Sequence, residues 1–226
     1  MGLLLAIETA SPAGSVALVN EDGIIGEFLL NKVATHAETL LPAIESLLSH
    51  TRLTLQNLNG IAVSIGPGAF TGLRVGISTA QGLAQAEDLP LYPVSTIEAL
   101  AYSAPPIQSF AFMTLDAKKD ELYGALFRWE NGKWTREILE TVASPEEWIQ
   151  LLHPFVEKSP ILVGGSGYLV SKEIFDKSFG NRLIPLPWTL GIPRASNVGL
   201  LGLKMEKEKA SVDPEKLQPI YLRRGV

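Results

Sequence analysis

The sequence predicts an α/β protein made of two halves that share one order of elements: three strands, a helix, a strand and a helix, on mixed sheets. Three observations carry this. Two sets of three short apolar or alternating runs each precede a well-capped helix start. Each of those helices leads to a short, largely apolar run, 61–65 and 161–163, of the kind that fills the middle of a covered sheet. Pro105 and Pro106 separate the two sets, and two prolines disfavour both helix and central strand. The chain accordingly divides into lobes 1–104 and 105–226. The halves share element order without clear sequence identity.

The first half opens on residues 3–7, a continuous apolar run that reads as a buried strand. Its start lacks the basic segment and small-residue cleavage site of a signal peptide. Pro12-Ala13-Gly14 turns the chain into a second strand, 15–19. Asn20-Glu21-Asp22-Gly23 then leads to a third, 24–30, because Asp-Gly favours a tight hairpin. Thr35-His36-Ala37-Glu38 matches the capping box, in which Thr and Glu satisfy each other's free backbone N–H groups. Leu40, Ile44, Leu47 and Leu48 fall on one face of the helix that follows. Pro42 lies inside that helix, and a proline removes one hydrogen bond and crowds the preceding turn, so a kink or early break is expected there. Strand 61–65 breaks at Gly66-Pro67-Gly68 and runs into a second helix, 71–87.

The second half repeats the grammar. Strands are expected at 110–115, 121–128 and 134–139, with Asn131-Gly132 turning between the last two. Ser144-Pro145-Glu146-Glu147 starts a helix: a Ser cap, Pro at the first helical position, then acids that complement the helix dipole. Strand 161–163 ends in the glycine turn Gly164-Gly165-Ser166-Gly167, and helices follow at 171–179 and 195–209.

Composition narrows the function. The chain has 226 residues, of which 46% are hydrophobic, so a sizeable core can be buried. No run of about 18 apolar residues exists, so no membrane span is expected. There is no cysteine, which removes disulfides, thiolate metal sites and a cysteine nucleophile, and a cytoplasmic protein is the expectation. Formal net charge is −5, and up to Ala104 only Lys32, Arg52 and Arg74 are basic. A protein gripping nucleic acid by itself displays a basic stripe. The one weak basic cluster is Lys204, Lys207 and Lys209 with Arg223-Arg224, for which an ordinary solvated helix face and tail is the plainer reading.

Each chemistry-bearing motif also has a plainer reading. Gly66-Pro67-Gly68-Ala69-Phe70-Thr71-Gly72 opens a helix and could cradle an anion on backbone N–H groups. It lacks the Gly-Lys-Ser/Thr of a phosphate-binding loop, and Thr71 stands where a dinucleotide fingerprint needs its third glycine, so a tight structural turn is the plainer reading. His36, His50 and His153 form no metal-ligand spacing. Gly164-Gly165-Ser166-Gly167-Tyr168 misses the nucleophile-elbow pattern by one position. Asp116-Ala117-Lys118-Lys119-Asp120-Glu121 is a charge-dense hairpin, either a solvated turn or a recognition loop.

Residues 75–86 contain no charged side chain, whereas a surface helix shows a charged face. Another element must cover this helix. Gly72, Gly76, Ala80 and Ala84, spaced by four, form a smooth stripe that admits close approach. Two readings stand, packing on the protein's own sheet and a helix–helix interface with a second subunit, and they can hold on opposite faces. The candidate interface is His36, Leu40, Leu41, Ile44 and Leu48 on the first helix with Gly72, Leu73, Arg74, Gly76, Ile77 and Ala80 on the second.

In this order and spacing, Leu5-Ala6-Ile7-Glu8-Thr9-Ala10, His36-Ala37-Glu38-Thr39-Leu40-Leu41-Pro42, the segment 64–86, Asp116-Ala117-Lys118-Lys119 with Glu121 and Tyr123, and Pro219-Ile220-Tyr221-Leu222-Arg223 resemble the TsaB (YeaZ) family over nearly the whole chain. The resemblance implies a duplicated actin-like ATPase (ASKHA) fold of two βββαβα lobes. It also implies a part in synthesis of threonylcarbamoyladenosine on tRNA. The catalytic paralogue, TsaD, carries a His-x-x-x-His metal motif after a similar Pro-Val. Here the matching positions are Thr96 and Leu100, neither of which ligates as imidazole does. The first strand ends in Glu8-Thr9-Ala10-Ser11 without the glycine of the Asp-x-Gly-Thr motif of actin-like kinases.

The resemblance therefore implies a non-catalytic scaffold or activator that binds TsaD for threonylcarbamoyl transfer to N6 of adenosine 37. No catalytic residue, metal or cofactor is expected on this chain alone, and ATP or ADP is left to the complex. TsaE joins a larger assembly, tRNA is met only through the complex, and the chain alone forms a homodimer. Arg at Gly76 or Ala80 is expected to abolish the complex and leave the monomer folded. The alternatives are an actin-like small-molecule kinase or ATPase, and a protease.

Overall fold

The computed structural model describes residues 2–31 and 35–222. The chain separates into two compact units, Met1–Ala99 with Pro193–Ile220, and Leu100–Ile192 with Tyr221–Val226. The division thus differs from a cut at 104. The late helix expected in the second lobe belongs to the first unit, because its small-residue face packs on the first sheet.

The first unit holds strands β1 (Leu4–Glu8), β2 (Gly14–Asn20), β3 (Gly23–Leu30), β4 (Gly60–Gly66) and β5 (Leu91–Ser95), in the order β3-β2-β1-β4-β5. β2 runs antiparallel to β1 and to β3, while β1, β4 and β5 are mutually parallel. Successive side chains alternate faces. Leu5, Ile7, Ile61 and Val63 share one core with helices α1 (His36–Thr51) and α2 (Phe70–Ala86). Leu4, Ala6 and Ala62 point the other way. There a Cβ on Gly199 would sit 2.5 Å from Val19, and one on Gly202 2.5 Å from Ala62. Those glycines lie on the late helix, α7 (Ala195–Lys207). With both faces covered, β1 and β4 read as continuous apolar runs.

Thr35 caps α1 by accepting the Glu38 N–H at 3.2 Å. The helix does not break at Pro42. Pro42 and Glu38 both lie on the exposed side, so the carbonyl deprived of its partner faces water, while Leu40, Ile44 and Leu47 hold the buried side. The expected early break is therefore absent. β5 was not anticipated, nor was the short helix α3 (Thr96–Ala101) that follows it. Pro90 and Pro93 mask the strand pattern, yet β5 pairs at the sheet edge, where a proline is tolerated.

The second unit contains β6 (Phe110–Lys118), β7 (Glu121–Glu130), β8 (Lys133–Ala143), β9 (Ile161–Gly164) and β10 (Leu183–Pro185), ordered β10-β9-β6-β7-β8. Read from its third strand, this is the order of the first sheet, and the pairing directions match as well. Helix α4 (Pro145–Val156) starts in a complete capping box: Ser144 N–H donates to Glu147 Oε2 at 2.8 Å, and Glu147 N–H to Ser144 Oγ at 3.2 Å. Trp148 is wholly buried against Phe112, with its indole N–H donating to the Leu122 carbonyl at 3.3 Å. The glycine turn after β9 leads directly into α5 (Ser166–Val170), which was not expected, and α6 (Lys172–Phe179) adds Phe175 to the core. β10, three residues long, was also unforeseen.

Trp148→Ala should cost about 3–5 kcal/mol, the usual range for emptying an aromatic site in a core. Urea unfolding followed by circular dichroism checks this; a loss under about 1 kcal/mol would show that the site collapses without cost.

Candidate functional site

The end of β1 and the start of α2 form a closely packed corner. The Glu8 carboxylate bends the chain by accepting the Ala10 N–H at 2.6 Å. The Ala10 carbonyl then accepts the Ala69 N–H at 2.7 Å, and the Thr9 hydroxyl donates to the Gly72 carbonyl at 2.8 Å. His36, half-buried at the head of α1, donates from Nε2 to the Ser11 carbonyl at 2.9 Å. A Cβ on Gly68 would lie 2.3 Å from the Ala10 carbonyl oxygen, on Gly72 2.1 Å from that of Thr9, and on Gly76 2.2 Å from Thr9 Oγ1. The Gly-Pro-Gly loop and the glycines beyond it therefore seat the chain's own turn at residues 9–11.

Glu8 is fully buried, and burial pushes its carboxyl up to about 7 against the opposing pull of the Ala10 N–H and Ser64. Ser64, its neighbour on β4, is also buried. Neither Ser64 Oγ nor Glu8 Oε2 makes a hydrogen bond of good geometry. Burial away from water disfavours the charged form, and the neutral acid is favoured.

The expected interface residues separate into two groups. Leu40, Ile44, Leu73, Ile77 and Ala80 are buried in the core under the sheet, and Gly72 and Gly76 face Thr9. Leu48 is half-buried, and Leu41 and Arg74 are exposed. The small-residue stripe thus takes the intramolecular reading. Arg at Gly76 or Ala80 would have to displace Thr9 or the core, so those substitutions test folding rather than association. The outward stripe of α2 is Phe70, Arg74, Ser78 and Gly82, also spaced by four. Phe70 is 52% exposed with the Arg74 guanidinium 3.9 Å above its ring. An apolar ring gives no local signal of an outward position, so the sequence does not mark Phe70. Beside it, α1 presents Leu41, 54% exposed, with Pro42 and Glu45.

The other motifs take local roles. His50 bonds the Ser46 carbonyl at 2.8 Å, and His153 lies 3.4 Å from Glu157. Among the described residues no group of three or more His, Cys, Asp or Glu is placed to hold a metal. Thr96 and Leu100 stand one turn apart on α3 and are wholly buried, the Thr96 hydroxyl without a partner. Ser166 Oγ accepts the Asp116 N–H at 3.1 Å and so anchors the charged hairpin. Lys207 pairs with Glu21 at 2.9 Å, and Arg223-Arg224 lie outside the described residues. Among the described residues no helix is long and apolar enough to cross a membrane.

Two sheets of one strand order, each with helices packed on it, define the duplicated actin-like (ASKHA) fold. Component A of (R)-2-hydroxyglutaryl-CoA dehydratase from Acidaminococcus fermentans shares it, with a TM-score of 0.52 at 11% identity over 92% of this chain and 100% of that one. The sequence profile described as TsaD, tRNA N6-adenosine threonylcarbamoyltransferase, matches residues 24–223. The tRNA threonylcarbamoyladenosine biosynthesis protein TsaB of Escherichia coli is 32% identical over 99% of this chain and 95% of its own. That of Bacillus subtilis is 29% identical over 97% and 93%. A Pseudomonas aeruginosa protein described as similar to the peptidase YeaZ superimposes with a TM-score of 0.85, at 30% identity over 99% of this chain and 100% of that one. The chain belongs to the tRNA N6-adenosine threonylcarbamoyltransferase family, and within it to the TsaB (YeaZ) group.

Because Glu8 binds its proton more tightly in the fold than at the ordinary carboxylate value of 4.5, its contribution is complete below that value and is lost as pH rises through about 7. The loss is at most about 3 kcal/mol. Glu8→Gln should flatten this dependence, as read from urea midpoints at about pH 5 and about pH 8. Equal slopes in the two proteins would show that Glu8 keeps an ordinary affinity for its proton.

Proposed function

We propose that this chain serves synthesis of threonylcarbamoyladenosine on tRNA as a non-catalytic subunit. It docks on a TsaD-type transferase that carries threonylcarbamoyl to N6 of adenosine 37. Membership of the TsaB group supports the pathway. The observation that carries the non-catalytic reading is the pair Thr96 and Leu100. They stand where the resemblance to TsaD places two metal-binding histidines, and a hydroxyl and an aliphatic side chain cannot replace imidazoles.

The docking face in this reading is the outer side of α1 and α2. Leu41, Phe70, Ser78 and Gly82 give its centre an apolar, small-residue surface, with Arg74, Glu38 and Glu45 as its charges. Interface cores are depleted in charge in this way. Its occupant is the same helix pair of the homologous transferase, and a second copy of this chain covers it when the partner is missing. TsaE joins the larger assembly, tRNA reaches the chain only through the complex, and any nucleotide belongs to the complex.

Leu41→Glu with Ser78→Arg should weaken co-purification with the TsaD-type partner by about tenfold or more, as changes at an interface centre do, and leave the melting curve of the isolated chain unchanged. Undiminished co-purification would sink the docking face. Reconstituting tRNA modification from TsaC, TsaD and TsaE tests the function itself: full activity without this chain would refute the subunit role.

A further inference from the structure

We propose that the second unit carries a docking groove for a short basic, apolar segment of a partner protein, set between the β6–β7 hairpin and the α5–α6 corner. The groove is open and measures about 540 Å³, room for a few side chains. Tyr168 and Phe175 turn from this corner into the core, which leaves Val170 (63% exposed) and Ile174 (39% exposed) as its apolar floor.

The rim is charged and unbalanced. Asp116, Asp120, Glu121 and Glu146 line it against Lys118 and Lys119. The Lys118 ammonium is held by Asp116 at 2.5 Å. The first turn of α4, beside the groove, is closed by its own Ser144–Glu147 capping box, so it offers no ready anion site. A phosphate backbone would meet a net negative rim. A peptide with Lys or Arg flanking an aliphatic residue answers both the rim and the floor.

The hairpin is also set in shape beforehand. Asp116 takes the Lys118 N–H at 2.8 Å, and its own N–H is held by Ser166. Lys118, Lys119 and Asp120 all adopt left-handed backbone, with φ of 64°, 55° and 57°. At Lys119 and Asp120 this is the backbone that a two-residue hairpin between paired Lys118 and Glu121 requires, so the turn holds one shape. A wall fixed in advance loses little freedom on binding. This groove is independent of the face on α1 and α2, so either assignment can fail without the other.

The test uses the full chain, isotope-labelled for NMR, titrated with the capped peptide Gly-Arg-Leu-Leu-Arg-Gly, its counterpart with Glu for Arg, and oligouridylate. The proposal expects the basic peptide alone to shift resonances at the hairpin, the start of α4 and the α5–α6 corner. Added salt should weaken that binding. Asp120→Lys with Glu146→Lys should weaken it about fivefold or more, and Val170→Asn by a similar factor, each variant keeping a dispersed spectrum. The inference is overturned by no binding, by equal binding of the acidic peptide, by oligouridylate occupying the groove, or by indifference to both variants. Concentration-dependent shifts there without peptide would give the groove to a second copy and overturn it equally.

Discussion

The close seating of the turn at residues 9–11 on the start of α2 is the constraint on which the rest of the first unit depends. Thr9 and Ala10 reach the helix only because Gly68, Gly72 and Gly76 carry no Cβ, any of which would fall within 2.3 Å of an atom of the turn. The approach lets the Thr9 hydroxyl bond α2 directly and the Ala10 carbonyl take the N–H of Ala69, the residue that caps it. It fixes which face of α2 lies on the sheet, and therefore which face is left outside.

That seating has a chemical consequence. A glycine loop that opens a helix, as Gly66-Pro67-Gly68 does before α2, is a natural place for backbone N–H groups to meet an anion. Here the Ala69 N–H is taken by the Ala10 carbonyl, and the Glu8 carboxyl is used in bending the turn. The buried acid keeps one oxygen without a hydrogen-bond partner, which carries a desolvation cost.

Much of the fold was legible because it rests on local chemistry. Capping residues at Thr35 and Ser144, the turn at Asn131-Gly132 and the apolar runs of β1, β4 and β9 place the elements to within a few residues. The duplicated order then follows, since sheets covered on both faces produce such runs. What stayed hidden had weak local signals. β5 is interrupted by a proline that an edge strand tolerates, and β10 is too short to show alternation. The run-through of α1 at Pro42 depends on that residue facing solvent, which the neighbouring buried leucines decide.

The sequence by itself determined that residues 75–86 carry no charge and that small residues recur in α2 at intervals of four. It held two stripes at that interval, 72-76-80-84 and 70-74-78-82, and either could have faced a partner. Only the tertiary structure decided between them, because the approach of Thr9 and the burial of Ile7 and Val63 are contacts between residues some sixty positions apart. Helical spacing says which side chains share a face; what covers that face is set by where the sheet lies.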